Sequence, residues 1–457
     1  MKKFMVLSVV VLMLFLAVGL SSFVNADTTK TITITAWTVG PDIPSIYRYE
    51  NLTTAASRLN QMLEAVGSDI RVKVTGYFDT VSWDDFLKKV VFGIQSGQPV
   101  DIICTGHDLV ASWAHAGYLL PLDTYVKQYW DQTYSQILPS LWPATQYDGK
   151  IYAIPQDTEA RPVYINIPAL KKLGWTDEQI NNLPNEIYNG DFTLNDLINL
   201  AIEAQQKGYV KWGFYHRPVV GVDFLELFND YHVPYFDSKT DNFVFSQSGV
   251  KKVLTFFYNL TNVWKITPKT LIGSPWNDVY KQEWAGEIFA WMGGTWNWAE
   301  GQQVWGLTEQ QEQNLYLPVP LPAVEKGGKP VTLSHPMVYV ISKNSKHPAL
   351  AFLLITLATA PDLNLRHDLN SGHLPIEYTE LGMPAVANNY IMQMGAKMLA
   401  YTSFEPNSIY FGYTTQYNSV LFDAISAVES GQSVDAVESN FLARLKALYP
   451  GHVTVEP

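Results

Sequence analysis

The first hundred residues alternate strand and helix signals, and that alternation limits the fold more than any other feature of the chain. Residues 31–37, TITITAW, interleave β-branched and polar side chains, which predicts a strand. Ala55, Leu59, Met62, Leu63 and Val66 then recur at helical spacing, and Gly67 ends the run. Residues 70–75, IRVKVT, predict a second strand. Phe86, Leu87, Val90, Val91 and Ile94 align on a second helix, closed by Gly97 and Pro99. Residues 100–104 predict a third strand. This β-α-β-α-β order implies an α/β fold with parallel strands and right-handed crossovers. In such sheets ligands collect beyond the carboxyl ends of the strands. That rule selects residues 37–42 and 105–108 as rim loops.

At 457 residues the chain is long enough for two or three domains. Residues 151–154 and 162–166 predict strands on either side of a polar stretch, 156–161, which reads as a crossover between two lobes. Thr193 is an expected N-cap, with Asp196 three positions on in a capping-box arrangement. Leu194, Leu197, Ile198, Ala201 and Ile202 then form one apolar face. Residues 209–285 are rich in aromatics and show no clean period. In residues 286–298, GEIFAWMGGTWNW, a short apolar run predicts a buried strand, Gly293-Gly294 stops it, and two further tryptophans follow on a turn. A large ring beside bare backbone suits the C–H face of a sugar. Trp291, inside the strand, reads as core; Trp298 stays open between support of a site and helix packing. Residues 317–322, LPVPLP, read as a second crossover. A strand at 337–341, an apolar helix at 348–359 and two C-terminal helices near 418–429 and 434–448 complete the reading.

Composition excludes several classes. The formal net charge is −12 and no basic cluster occurs, which argues against nucleic acid and anionic membrane surfaces. No Gly-Lys-Ser/Thr phosphate loop, HExxH or paired-cysteine motif is present, so no cofactor and no metal are expected. The single cysteine, Cys104, cannot form a disulfide within the chain. Lys2 and Lys3, an apolar run over 4–20 and the small-residue pattern Val24-Asn25-Ala26 predict a secretory leader cleaved after Ala26; an uncleaved anchor is the alternative. The expected location is the periplasm or the cell surface.

Taken with their order along the chain, several segments resemble the extracellular solute-binding proteins of ABC sugar importers, the maltose-binding-protein-like group. They are VDIICTGHDLVASWAHAGYLLPLD (100–123), YDGKIYAIPQDTEARPVYIN (147–166), GEIFAWMGGTW (286–296), PLPAVEKGGKP (320–330), SKNSKHPALAFLLITLAT (342–359), SGHLP (371–375) and SGQSVDAV (430–437). The resemblance implies a two-lobed α/β periplasmic-binding-protein fold (type II-like). A ligand cleft would lie between lobes joined by hinge crossovers, and the lobes would close on the ligand. The first lobe would comprise 27–157 plus 319–376 and the second 158–318 plus 377–457. It implies a monomeric receptor, not an enzyme, that delivers a neutral sugar, polyol or cyclitol to ABC permease subunits.

The same resemblance nominates the site. Asp108 would accept hydrogen bonds from sugar hydroxyls with His107 beside it, although an N-cap role also fits Asp108. Glu159 would contact sugar at the hinge, flanked by Asp157 and Arg161; an ion pair between lobes is the other reading. Trp296 would stack on the sugar, with Gly294 and Thr295 offering donors beside it. Trp37 and Asp42 lie on the first rim loop, and His335 and His373 fall in loops that line the cleft in relatives. Tyr413 stands where relatives carry a further ring. Thr105 replaces an aromatic of the group, which favours a smaller ligand. Two other classes stay open: a secreted carbohydrate-active hydrolase with Asp108 and Glu159 as its acid pair, and an exported scaffold with no small ligand.

Overall fold

A computed structural model describes residues 29–39, 43–79, 83–406, 408–410 and 414–457. The expected leader, Asp42 and Tyr413 lie outside the described residues. The chain separates into two compact units. The first comprises Met1–Asp157, Pro336–Asn370 and Pro375–Met383; the second comprises Thr158–His335, Ser371–Leu374 and Pro384–Pro457.

The first unit is built on a five-stranded sheet, in the order Ile70–Asp79, Lys30–Val39, Ile102–Gly106, Met337–Ile341, Ala153–Pro155. The first three strands are parallel, and the last two each run antiparallel to their neighbour. Lys30–Val39 lies between two partners. Its outer half keeps the alternation of its Thr/Ile pattern, while its inner half, from Ala36 to Val39, is buried on both faces. Helix Tyr47–Ala65 packs Leu52, Ala55, Leu59 and Leu63 against the sheet and against helix Pro348–Ala358. The helical spacing of those apolar residues is what makes one face of this helix buriable.

The second unit holds a four-stranded sheet, ordered Tyr316–Val319, Val163–Asn166, Ile288–Met292, Trp212–Tyr215. Ile288–Met292 is buried at all five positions. Its Trp291 is 1 % exposed and stacks on Tyr164 at 4.1 Å between ring centroids. Trp298 belongs to the same aromatic cluster, so both rings are core. Truncating such a buried ring costs about 3–5 kcal/mol. The capping box at Thr193 is present: its side chain accepts from Asp196 N, and Asp196 accepts from Thr193 N.

One expectation changes, and one unassigned stretch resolves. The LPVPLP segment is not a crossover. Tyr316–Val319 pairs antiparallel with Val163–Asn166, Leu321 bridges to Val331, and Thr332–Ser334 pairs with Thr402–Phe404. These ladders hold residues 316–334 in the second unit, so the second passage between units falls at 335/336. Residues 209–285 contain strand Trp212–Tyr215 and helices Leu225–Asp230, Gln247–Tyr258 and Trp276–Trp284. Their core aromatics come from several short elements, which blurs any single period.

Candidate functional site

Four segments of the second unit converge around Trp296. Thr158 exchanges backbone hydrogen bonds with Leu374, at 3.1 and 2.7 Å. Ala160 O accepts from Thr295 N, and Pro162 O from Gly293 N, both at 3.0 Å. Strand Thr332–Ser334 flanks the same stretch: Arg161 N donates to Thr332 Oγ1 at 2.7 Å, and Glu159 N to Ser334 Oγ at 3.2 Å. Residues 158–162 are thus stitched to the turn 371–374, to the loop 293–295 and to a strand.

The glycines of the GG pair each make room for a tryptophan two residues away. A Cβ on Gly293 would lie 2.4 Å from the Trp291 ring, and one on Gly294 would lie 2.0 Å from the Trp296 ring. Trp296 opens helix Trp296–Gln303 and folds back over the Gly294 backbone, half-buried. Gly372 has φ +72°, and a Cβ there would meet Thr295 O at 2.8 Å and Trp296 Cα at 2.9 Å. Only glycine allows this left-handed turn to press so closely, and the turn sets the His373 ring nearly parallel to Trp296 at 6.0 Å. His373 Nδ1 lies 2.8 Å from Ser371 Oγ. The Arg161 guanidinium stands 4.9 Å from the Trp296 ring centroid, in cation–π range.

Buried charge underlies the ring. Arg161 donates from Nη2 to Glu159 Oε1 at 2.5 Å and from Nη1 to Asp223 Oδ1 at 2.6 Å. Arg217 donates to the other oxygen of Asp223. Burial pushes the Asp223 carboxyl upward, but the guanidinium charges of Arg161 and Arg217 outweigh it and hold the group well below the usual carboxylate range. Glu159 Oε1 also accepts from His335 N at 3.1 Å, and His335 Nδ1 pairs with Glu405. A carboxylate oxygen serving a guanidinium and an amide is an acceptor, not a proton donor.

The remaining nominated residues fall as follows. Gly294 offers no amide to a ligand: its N–H donates to Asn297 Oδ1 at 2.7 Å, and its carbonyl accepts from Tyr164 Oη at 2.8 Å. Thr295 N is likewise committed to Ala160, while its buried Oγ1 has no partner among the described residues. In the first unit Trp37 is not on a rim loop. The strand runs on to Val39, and Trp37 packs in the core, stacked on Tyr77 at 5.5 Å and pressed against Gly93. Asp157 is fully buried and accepts from Arg48 Nη2 and His367 Nε2, both at 2.9 Å, and from Met337 N at 3.0 Å. It is an internal anchor of its unit. His107 and Asp108 form a buried single turn after strand Ile102–Gly106, with His107 N donating to Pro336 O at 3.0 Å. Gly106 occupies the N-cap position of that turn, so Asp108 does not cap it.

The sequence profile of the bacterial extracellular solute-binding proteins matches residues 51–364. The chain belongs to that family. Among solved structures it is similar to a maltose-bound MalE3 of T. maritima, with TM-score 0.72 and 20 % identity, covering 92 % of this chain and 100 % of that one. An ABC transporter solute-binding protein of Thermotoga lettingae, bound with α-D-tagatose, gives TM-score 0.71 and 17 % identity over 91 % of this chain and 99 % of that one. The GacH receptor of Streptomyces glaucescens gives 0.70 and 17 %, over 92 % and 99 %. The solute-binding chain shares the two-lobed α/β architecture of these proteins. A binding protein of Brucella abortus is 28 % identical over 101 residues, 22 % of this chain and 24 % of that relative. The match thus spans about a quarter of that relative's length.

Family motifs lead to Glu159 and Trp296 but not to Asp223, Arg217, Thr332 or Ser334. The one signal in the sequence for these was Arg161 itself. A guanidinium in a short segment between two predicted buried strands demands acidic partners once it is buried, and GVDF at 221–224 supplies one 62 residues away.

Proposed function

We propose that this chain is an exported receptor that captures a neutral sugar or polyol and hands it to the permease of an ABC importer. The observation that carries the reading is Trp296. It is a half-buried indole whose position is set by Gly294, by the glycine turn at Gly372 and by Arg161. A partly open ring fixed by this many neighbours is a preorganised stacking surface, and preorganisation lowers the cost of binding. Glu159, Thr295, His335 and His373, all of the same unit, supply polar groups beside the ring. Membership of the extracellular solute-binding family and the basic–apolar–small pattern of residues 2–26 support export. Among the similar structures, MalE3 is bound to maltose, the Thermotoga lettingae protein to α-D-tagatose and GacH to acarbose, which supports the sugar class here.

A hydrolase would need a protonated carboxyl poised at a glycosidic oxygen. The acceptor role of Glu159 toward Arg161 and His335 does not favour it. The test is a thermal-shift screen of the mature chain against mono-, di- and oligosaccharides and polyols, with the mixtures assayed for product. A true ligand at a hundredfold excess over Kd adds about 2.7 kcal/mol of stability and is recovered unchanged. Product formation, or no shift with any sugar, contradicts the proposal.

A further inference from the structure

Trp296 rests on a buried set of charges that balance. Arg161 and Arg217 share Asp223, and Arg161 also holds Glu159. Arg161, Asp223 and Glu159 are each less than a tenth exposed. Glu226 is a third buried carboxyl, accepting from Leu333 N at 3.0 Å. Burial, and then the Asp223 charge, raise it well above the ordinary carboxyl range. In the ion pairs themselves two guanidiniums, Arg161 and Arg217, meet two carboxylates, Glu159 and Asp223. The neighbouring His335–Glu405 pair adds no uncompensated cation.

Resting on the reading of Trp296 as a sugar platform, we propose that Arg161 is its specificity-determining residue: fixed by Glu159 and Asp223 with its guanidinium against the indole, it admits an uncharged sugar ring and turns away an acidic one. An acidic sugar stacked on Trp296 would bring its carboxylate toward a guanidinium that two carboxylates already neutralise. It would also lose its hydration without gaining a counter-charge. A neutral sugar needs none. The planar fork of arginine makes this balance geometric: Nη1 and Nη2 are each committed to a different acid, which fixes the plane of the guanidinium near the indole.

The experiment removes one negative charge and leaves the rings in place. Calorimetry on the mature chain would compare glucose with glucuronate, galactose with galacturonate and maltose with maltobionate. The proteins would be the wild type, Glu159→Gln and Asp223→Asn. Glu159→Gln serves as the second variant should loss of the doubly bonded Asp223 impair folding. The wild type is expected to prefer the neutral member of each pair it binds by at least about tenfold, because a carboxylate taken out of water into a partly buried site without a counter-charge costs several times RT. Either substitution leaves a guanidinium charge in excess and should lower that preference at least about tenfold. An unchanged preference in both folded variants, or a wild type that favours the acidic member, overturns the role of Arg161 while the platform reading stands. A wild type that binds none of the three neutral sugars contradicts the platform reading and this inference together.

Discussion

The Arg161 guanidinium lies 4.9 Å from the centroid of the Trp296 ring, and the residue that gives the indole room to lie there is Gly294. Gly294 does not have a positive φ, so alanine is tolerable to the backbone itself. What it cannot accept is a methyl group 2.0 Å from the ring. Gly294→Ala should therefore displace Trp296 at a cost of about 1–3 kcal/mol in stability. The loss in sugar affinity should be at least about tenfold. Calorimetry beside urea denaturation separates the two effects, and unchanged affinity would show that the ring position is irrelevant to binding.

His216 presents both ring nitrogens to acceptors. Nδ1 lies 2.9 Å from Arg217 O, and Nε2 lies 2.7 Å from Glu429 Oε1. Nδ1 bonds the carbonyl only by donating to it, and a second proton at Nε2 gives the Glu429 carboxylate a charged donor. Burial lowers its pKa, but the charge of Glu429 and the bonds it receives outweigh burial and raise it. A raised native pKa means that the stabilisation is complete below the unfolded value of about 6.5 and is lost as pH climbs through the folded value. Glu429→Gln should cost about 3–5 kcal/mol at pH 5.5, and the difference from wild type should shrink by pH 9. A difference that stays constant across that range would argue against a charged pair.

Asp230 gives a pH dependence through a different cause. It is 3 % exposed, Oδ1 accepts from Val324 N at 3.1 Å, and Oδ2 has no partner among the described residues. Burial pushes the carboxyl up to about 8, with the Val324 amide pulling the other way. The native protein keeps a proton that the unfolded chain releases near pH 4, so this contribution is intact below pH 4 and is lost as pH rises to about 8. Asp230→Asn retains the Val324 bond and cannot ionise. It should match the wild type at pH 3.5, gain on it from pH 4 upward and exceed it by a few kcal/mol at pH 9, read from denaturation midpoints.

The fold was legible where one element carries its own period. The alternation at 31–37, the apolar faces of the helices at 55–63 and 86–94, and the capping box at Thr193 all have counterparts in the structure, while Val66 falls past the helix end and is exposed. Trp291 was legible as core for the same reason. The role of residues 316–334 was not, because proline-rich LPVPLP hides a strand whose partner, Val163–Asn166, is far away in sequence. The site divided along the same line. Trp296 and Glu159 sit in local motifs, while Asp223, Thr332 and Ser334 reach Arg161 and Glu159 only through tertiary contacts, at separations of 62, 171 and 175 residues. Trp37 misled because a ring near a strand end resembles a rim residue until the register shows that the strand continues.

The central claim is that the Trp296 ring is the surface on which a sugar binds. Its most direct test is calorimetric titration of Trp296→Ala and wild type with the sugar that most stabilises the wild type in the screen, alongside the melting temperatures of the free proteins. The account predicts that affinity falls by at least about thirtyfold, the scale of a lost binding hot spot, while the free variant melts close to wild type because the ring is only half-buried. Wild-type affinity in a folded Trp296→Ala protein would contradict it.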